Sequence, residues 1–180
     1  HLAVLNDIVH IASSTLDLDE LYQALADNMV RIIGGDECYI ARWDEAAQRA
    51  IPVAAYGPTR DSYASLQMPA GEVTLTGSVL SAGQPIAVED VFNSPYGNPQ
   101  IAAQFSSRSW LALPLIADGR KLGAVLLGFN QVRRFTEEEI ARTSRAAELV
   151  AVAVAKAQLH DELQQHARSL EDEVATRTQE

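Results

Sequence analysis

The sequence predicts an α+β domain: an antiparallel sheet covered on both faces, followed by a helix that outruns it. Three stretches carry that expectation. Ser109 to Asn130, SWLALPLIADGRKLGAVLLGFN, reads as two apolar strands meeting at Asp118-Gly119, a dipeptide that tolerates the positive φ angles of a two-residue hairpin turn. Both faces of that hairpin are apolar, whereas an antiparallel hairpin usually wets one side, so it belongs inside a sheet with layers above and below. Two helical patterns open the chain, and no Gly or Pro interrupts a third between Thr136 and Glu180.

Taken in order, Leu5, Ile8, Val9 and Ala12 recur at helical spacing, widened by Val4 and Ile11, with Asn6, Asp7 and His10 opposite. Asp17 or Asp19 can cap a second helix whose stripe is Leu21, Leu25, Met29, Ile32 and Ile33, ended by Gly34-Gly35. Glu37 to Trp43 and Ala50 to Ala55 read as two strands around a turn at Asp44 to Gln48; shorter and less apolar than the later pair, they are expected nearer a sheet edge. From Gly57 to Ser109 the pattern is chopped by Pro58, Pro69, Gly71, Gly77, Gly83, Pro85, Pro95, Gly97 and Pro99. Only a helical turn or two at Thr76 to Ala82, a strand at Pro85 to Val88 and a short helix around Gln100 to Phe105 are expected there. So long an irregular passage inside a compact domain suits a lid or a pocket wall. In the hairpin, pairing across the turn sets Leu115 opposite Leu122, Leu113 opposite Ala124 and Leu111 opposite Leu126. Trp110, Ala112, Pro114 and Ile116 then share the other face with Gly123, Val125, Leu127 and Phe129. Thr136 and Glu139 form a capping box for the last helix. Its first half, with Ile140, Ala147, Leu149, Val150, Val152 and Val154, is expected on the sheet. Its second half keeps Leu163, Ala167, Leu170 and Val174 on one narrow stripe at spacings of 4, 3 and 4, the pattern of a coiled-coil seam.

The 180 residues suit one domain plus an appendage, and 47% hydrophobic with 21% charged content is ordinary for a soluble chain. A net charge of -10 repels phosphate backbones and anionic lipid, so neither nucleic acid nor a membrane surface is an expected partner. No apolar run approaches the roughly 18 to 20 residues of a membrane span. The start at His1 suggests a piece of something longer, and the single Cys38 excludes an internal disulfide, fitting a reducing compartment, the cytoplasm.

Four segments in this order, ASSTLDLDELYQAL, GSVLSAGQPIAVEDV, SWLALPLIADGRKLGAVLLGF and FTEEEIARTSRAAELVAVAVAKAQL, resemble the GAF domains of bacterial signalling proteins over roughly Leu2 to Leu159. The resemblance implies a PAS-like (profilin-like) six-stranded antiparallel sheet, with helices on one face and an irregular segment covering a small-molecule pocket on the other. It divides the chain into a GAF domain at 1–159 and a coiled-coil signalling helix at 160–180. There LEDEVATRTQE resembles the linker to an output domain, as in a sensor histidine kinase of a two-component system. The role it implies is a regulatory sensory module that binds a small effector or relays signal through a dimeric helix. A ligand-free dimerisation spacer and a cyclic-nucleotide-binding GAF domain are the alternatives.

Site by site, covalent bilin attachment is disfavoured because Gly57 to Ser109 holds neither Cys nor His, and Cys38 reads as a small buried hydrophobe. One thiol excludes the intramolecular cycle of GAF-like methionine sulfoxide reductases. Haem is disfavoured because His1, His10, His160 and His166 fall on flanking helices, and no cofactor is evident. The Asn-Lys-Phe-Asp-Glu set of cyclic-nucleotide-binding GAF domains is not recognisable. No Ser-His-Asp order, HExxH pair, Walker loop or paired catalytic carboxylates is present, so no catalysis is expected. The candidate ligand-binding residues are Phe92, Tyr96, Phe105, Ser109 and Trp110, with Gln104, Ser106, Ser107 and Arg108 beside them, a set suited to a small, partly apolar, anionic molecule. The candidate homodimer seam is Leu163, Ala167, Leu170 and Val174.

Overall fold

The computed structural model describes residues 2–14, 17–68, 71–96 and 98–178. The expectations for His1, Pro69 and Gly97, and for the side chains of Val4, Leu5 and Ala12, fall outside the described residues. Helix α1 spans Leu2–Ser14 and α2 spans Leu18–Ile33. Asp17 is the cap of α2: its Oδ1 accepts from the backbone N–H groups of Asp19 and Glu20 at 2.8 and 3.2 Å, and the helix ends on Gly34 in the left-handed region.

Strands β1 (Glu37–Asp44), β2 (Arg49–Tyr56), β3 (Ile86–Val88), β4 (Ser109–Ala117) and β5 (Arg120–Phe129) form one antiparallel sheet in the order β2-β1-β5-β4-β3. The fold class is the expected one, with five strands among the described residues where the resemblance implied six. The earlier pair lies toward an edge as expected, with β2 the edge strand and β1 between it and β5, yet Cys38 to Ala41 are buried on both faces of β1. Its sequence looks thin because two of those four buried side chains are a thiol and a methyl.

The hairpin turn is where the dipeptide placed it, with Asp118 and Gly119 at φ of 50° and 74°. The register is not. Ala117 and Ile116 pair with Arg120 and Lys121, but Leu115 pairs with Gly123, leaving Leu122 as an extra residue in a β-bulge. One extra residue flips every later side chain to the other face. Leu111, Leu113 and Leu115 therefore share the helix-covered face with Leu122, Val125, Leu127 and Phe129, and Trp110, Ala112 and Ile116 share the opposite face with Ala124 and Leu126.

Below the sheet, α1, α2 and the first half of α6 (Glu137–Thr178) supply Ile8, Leu21, Leu25, Met29, Val150 and Val154 to one core. Each such side chain, fully buried, contributes about 1.5–3 kcal/mol. The capping box is formed: Glu139 N–H donates to Thr136 Oγ1 at 3.2 Å, and Thr136 N–H donates to Glu139 Oε2 at 2.8 Å. Val152, expected on the sheet, is exposed, because it lies on the side of α6 turned away from buried Val150, Ala151, Ala153 and Val154. Above the sheet lie α3 (Arg60–Tyr63), α4 (Leu75–Ala82), a 3-10 turn at Val91–Asn93 and α5 (Pro99–Ala102). The last starts earlier than expected because the Asn98 side chain caps the Gln100 N–H, with Pro99 at the first helical position. Among the described residues no helix is long and apolar enough to cross a membrane.

Candidate functional site

The upper core is aromatic. Tyr39 of β1, Tyr63 of α3, Phe105 and Trp110 of β4 contact one another with ring centroids 4.8 to 6.4 Å apart. Phe105 meets Tyr39 and Trp110 edge-on, at interplanar angles of 67° and 84°. Beside this cluster lies a cavity of about 70 Å³. Its floor is sheet, with Ala41, Pro52 and Leu126 beside the rings, and its walls come from Met68, the start of α4, α5 and the lid segment 91–105. Pro52 fits there because it sits on an edge strand where the β1–β2 register shifts, so its missing N–H breaks no ladder.

Several ties hold the lid. Arg108 Nη2 donates to both Asp90 carboxylate oxygens at 3.1 Å, and its guanidinium lies 5.3 Å from the Phe92 ring centre. The Arg108 hydrogen bond, followed by that of Asn93, holds the Asp90 carboxyl below the usual carboxylate range. Val91 N–H donates to the Arg108 carbonyl at 2.8 Å, and the Asn98 amide reaches Glu72. At the other end Glu37, almost wholly buried, accepts from the Ser106 and Ser107 hydroxyls at 2.5 and 2.6 Å. This clasp depends on Gly128, where an added Cβ would fall 2.3 Å from Ser107 Oγ.

Of the residues singled out from sequence, Tyr96, Phe105 and Trp110 line the cavity. Phe92 and Ser109 do not. Phe92 is exposed under Arg108, and Ser109 is buried among backbone groups: its hydroxyl reaches the Glu89 and Gln131 carbonyls at 2.6 and 2.7 Å and accepts from Arg133 N–H at 2.8 Å. Gln104 is exposed, and Ser106, Ser107 and Arg108 serve the lid's anchors. Sequence reasoning missed Tyr39, Tyr63 and Thr76, which come from β1, α3 and α4. The available signal was the alternation Tyr39, Ala41, Trp43, which turns one face of β1 toward the irregular segment.

Cys38 is fully buried on the opposite face, and burial pushes its thiol pKa up, away from reactivity. His10, His160 and His166 are exposed on their helices. A wider surface groove of about 610 Å³ lies between the hairpin tip and α6, where Arg42, Arg120 and Lys121 share its walls with Asp161 and Glu162.

Known proteins place this architecture. The chain is 31% identical over 104 residues to the circadian input-output histidine kinase CikA of Thermosynechococcus vestitus, a match covering 56% of this chain and 14% of that protein. Its fold superposes on the GAF domain of a phosphoenolpyruvate-protein phosphotransferase from Coxiella burnetii with a TM-score of 0.76, at 21% identity, covering 89% of this chain and 96% of that one. It is also similar to a free methionine-R-sulfoxide reductase from Neisseria meningitidis, with a TM-score of 0.70 at 19% identity over 87% of this chain and 89% of that one. The model of the GAF domain matches residues 15–155, most of the length, and the chain belongs to the GAF domain family.

Proposed function

We propose that this chain is the sensory module of a bacterial, cytoplasmic signal-transduction protein, which binds a small effector under the 91–105 lid and relays occupancy along α6 to an output domain such as a histidine kinase. One observation carries the reading. The β4–β5 hairpin is shared by both sides: Trp110 and Leu126 line the cavity, while Leu111 and Leu127, one residue away, belong to the core that holds α6. An effector that favours one packing of the hairpin thereby favours one setting of α6. The helix itself supports pairing with a second copy. Leu163, Leu170 and Val174 are exposed, and the stripe continues back through Leu159 and Val152. Val152, Leu163 and Val174 recur every eleven residues, a period that suits a pair wound with a right-handed supercoil.

The test is a thermal-shift screen of nucleotides and small metabolites, followed by spin-label distances between the two copies of a Gln165→Cys variant, Cys38 being buried. The expected result is a stabilising compound that also changes the inter-helix distance distribution. A compound that binds and leaves the distances unchanged overturns the relay; a screen without binders favours a ligand-free dimerisation spacer. That second reading draws on the size of the cavity, which seats a few heavy atoms and falls well short of a cyclic nucleotide unless the lid moves.

A further inference from the structure

We infer that the cavity takes an uncharged small molecule with a flat apolar body and an acceptor oxygen, oriented by hydrogen bonds from Trp110, Tyr63 and Thr76. The inference deepens the sensory reading above and rests on it. Among the described residues no charged side chain lines the cavity. The charges around it are engaged elsewhere, Arg108 with Asp90, Glu37 with Ser106 and Ser107, and Glu72 with Asn98. A charged ligand would lose its water and gain no counter-ion, a cost of several kcal/mol.

The buried polar groups that remain can all donate. Tyr63, Thr76 and Trp110 line the cavity and are 2%, 3% and 4% exposed. Neither hydroxyl, nor the indole N–H, meets a hydrogen-bond partner among the described residues. The side-chain polar atom that is both sealed and unpartnered among those residues is Arg142 Nε. The three groups are therefore not sealed, and the cavity is a space that all three residues line. An indole N–H can only donate. Burial raises the Tyr63 pKa, so its hydroxyl keeps its proton and is able to donate. One obligate donor and two hydroxyls able to donate, on residues that line one space, suit a lone-pair oxygen, and the edge-on rings of Tyr39, Phe105 and Trp110 leave aromatic surface on which a further ring can pack. The volume of about 70 Å³ seats the first few heavy atoms, and the remainder enters as the lid yields.

The test uses the 180-residue chain and four probes of one shape: benzamide, benzoate, benzylammonium and toluene. Binding is read from the indole N–H NMR resonances. That of Trp43, whose Nε1 donates to Glu45 at 2.7 Å, is the internal reference. Benzamide is expected to move the Trp110 resonance and to bind about tenfold or more tighter than each of the other three, the scale of one good hydrogen bond or one unpaired charge. Trp110→Phe keeps an aromatic ring but loses both the donor and the reporter resonance, so its affinities are read from the thermal shift of variant and parent side by side: benzamide should weaken by about tenfold and toluene stay unchanged; Tyr63→Phe and Thr76→Val, which keep the Trp110 resonance, make the same comparison if that variant does not fold. Equal or tighter binding of benzoate or benzylammonium, or toluene matching benzamide, overturns the inference and leaves the sensory reading standing. Silence from all four probes also overturns it, and the sensory reading falls with it only if the metabolite screen is silent as well.

Discussion

Asp90 shows how one side chain closes the upper layer. Its carboxylate takes the Arg108 guanidinium and the Asn93 amide, and accepts from the Phe92 N–H at 3.3 Å, which ties the two ends of the lid segment together. Its pKa is depressed in the folded state, so its contribution is fully present above the ordinary aspartate value of about 4 and is lost as pH falls through the lower folded value. The Phe92 amide resonance should titrate below that ordinary value, and in Arg108→Ala the midpoint should move up toward it. A midpoint that stays put in the variant would show that the ion pair does not hold the carboxylate. Phe92 and Ser109 were singled out for a ligand because aromatics and hydroxyls in an irregular segment suit a pocket wall. Where each points was decided by Arg108 and by the Glu89, Gln131 and Arg133 backbone, groups distant in sequence or too ordinary to flag.

The bulge in β5 sets which residues of the hairpin face the cavity and which face the helices. Gly123 is what permits it, with a φ of 156° and a position where an added Cβ would fall 2.0 Å from the Ala41 carbonyl oxygen. No flexible side chain can move aside there, so Gly123→Ala should destabilise the domain by at least about 3 kcal/mol, measured by urea unfolding. A change of less than about 0.5 kcal/mol would mean that the bulge dissolves and the hairpin slides into its simple register. Elements with local signals were legible: the Asp17 cap, the Asp118-Gly119 turn and the Thr136 capping box all form where their residues stand. The bulge was not, because a two-residue turn implies an unbroken ladder, and an isolated strand glycine such as Gly123 signals a bulge or a close backbone approach without saying which residue is skipped. The pairing of β1 with β5 was hidden for a related reason, since strand order depends on pairings between distant segments.

For the whole molecule, the telling contrast is between the two halves of α6. Up to Gln158, whose amide donates to the Tyr22 hydroxyl at 3.0 Å, the helix faces the domain; from Leu159 to Thr178 every side chain is exposed. A helix of 42 residues is about 63 Å long, so roughly half of it is exposed beyond the packed part of the domain. The proposed pairing therefore separates cleanly from folding. Leu170→Asp should weaken self-association by about tenfold or more, seen by sedimentation across micromolar concentrations, while the thermal midpoint of the globular part stays within a few degrees of the parent. A parent chain that sediments only as a monomer would remove the pairing, and a variant that loses its globular fold would show that the seam is part of the core.

By itself the sequence determined the layers: apolar periodicity, caps and the glycine-proline punctuation are local, and each acts within a few residues of where it is written. It thereby established two helices, a doubly covered hairpin, a broken covering segment and a long terminal helix. Tertiary structure alone decided that Leu126 rather than Leu127 meets the cavity, that Tyr39 and Tyr63 join Trp110 there, and that Arg108 is spent on Asp90. Those outcomes depend on one skipped residue and on contacts between strands and loops far apart in the chain, which no local pattern encodes.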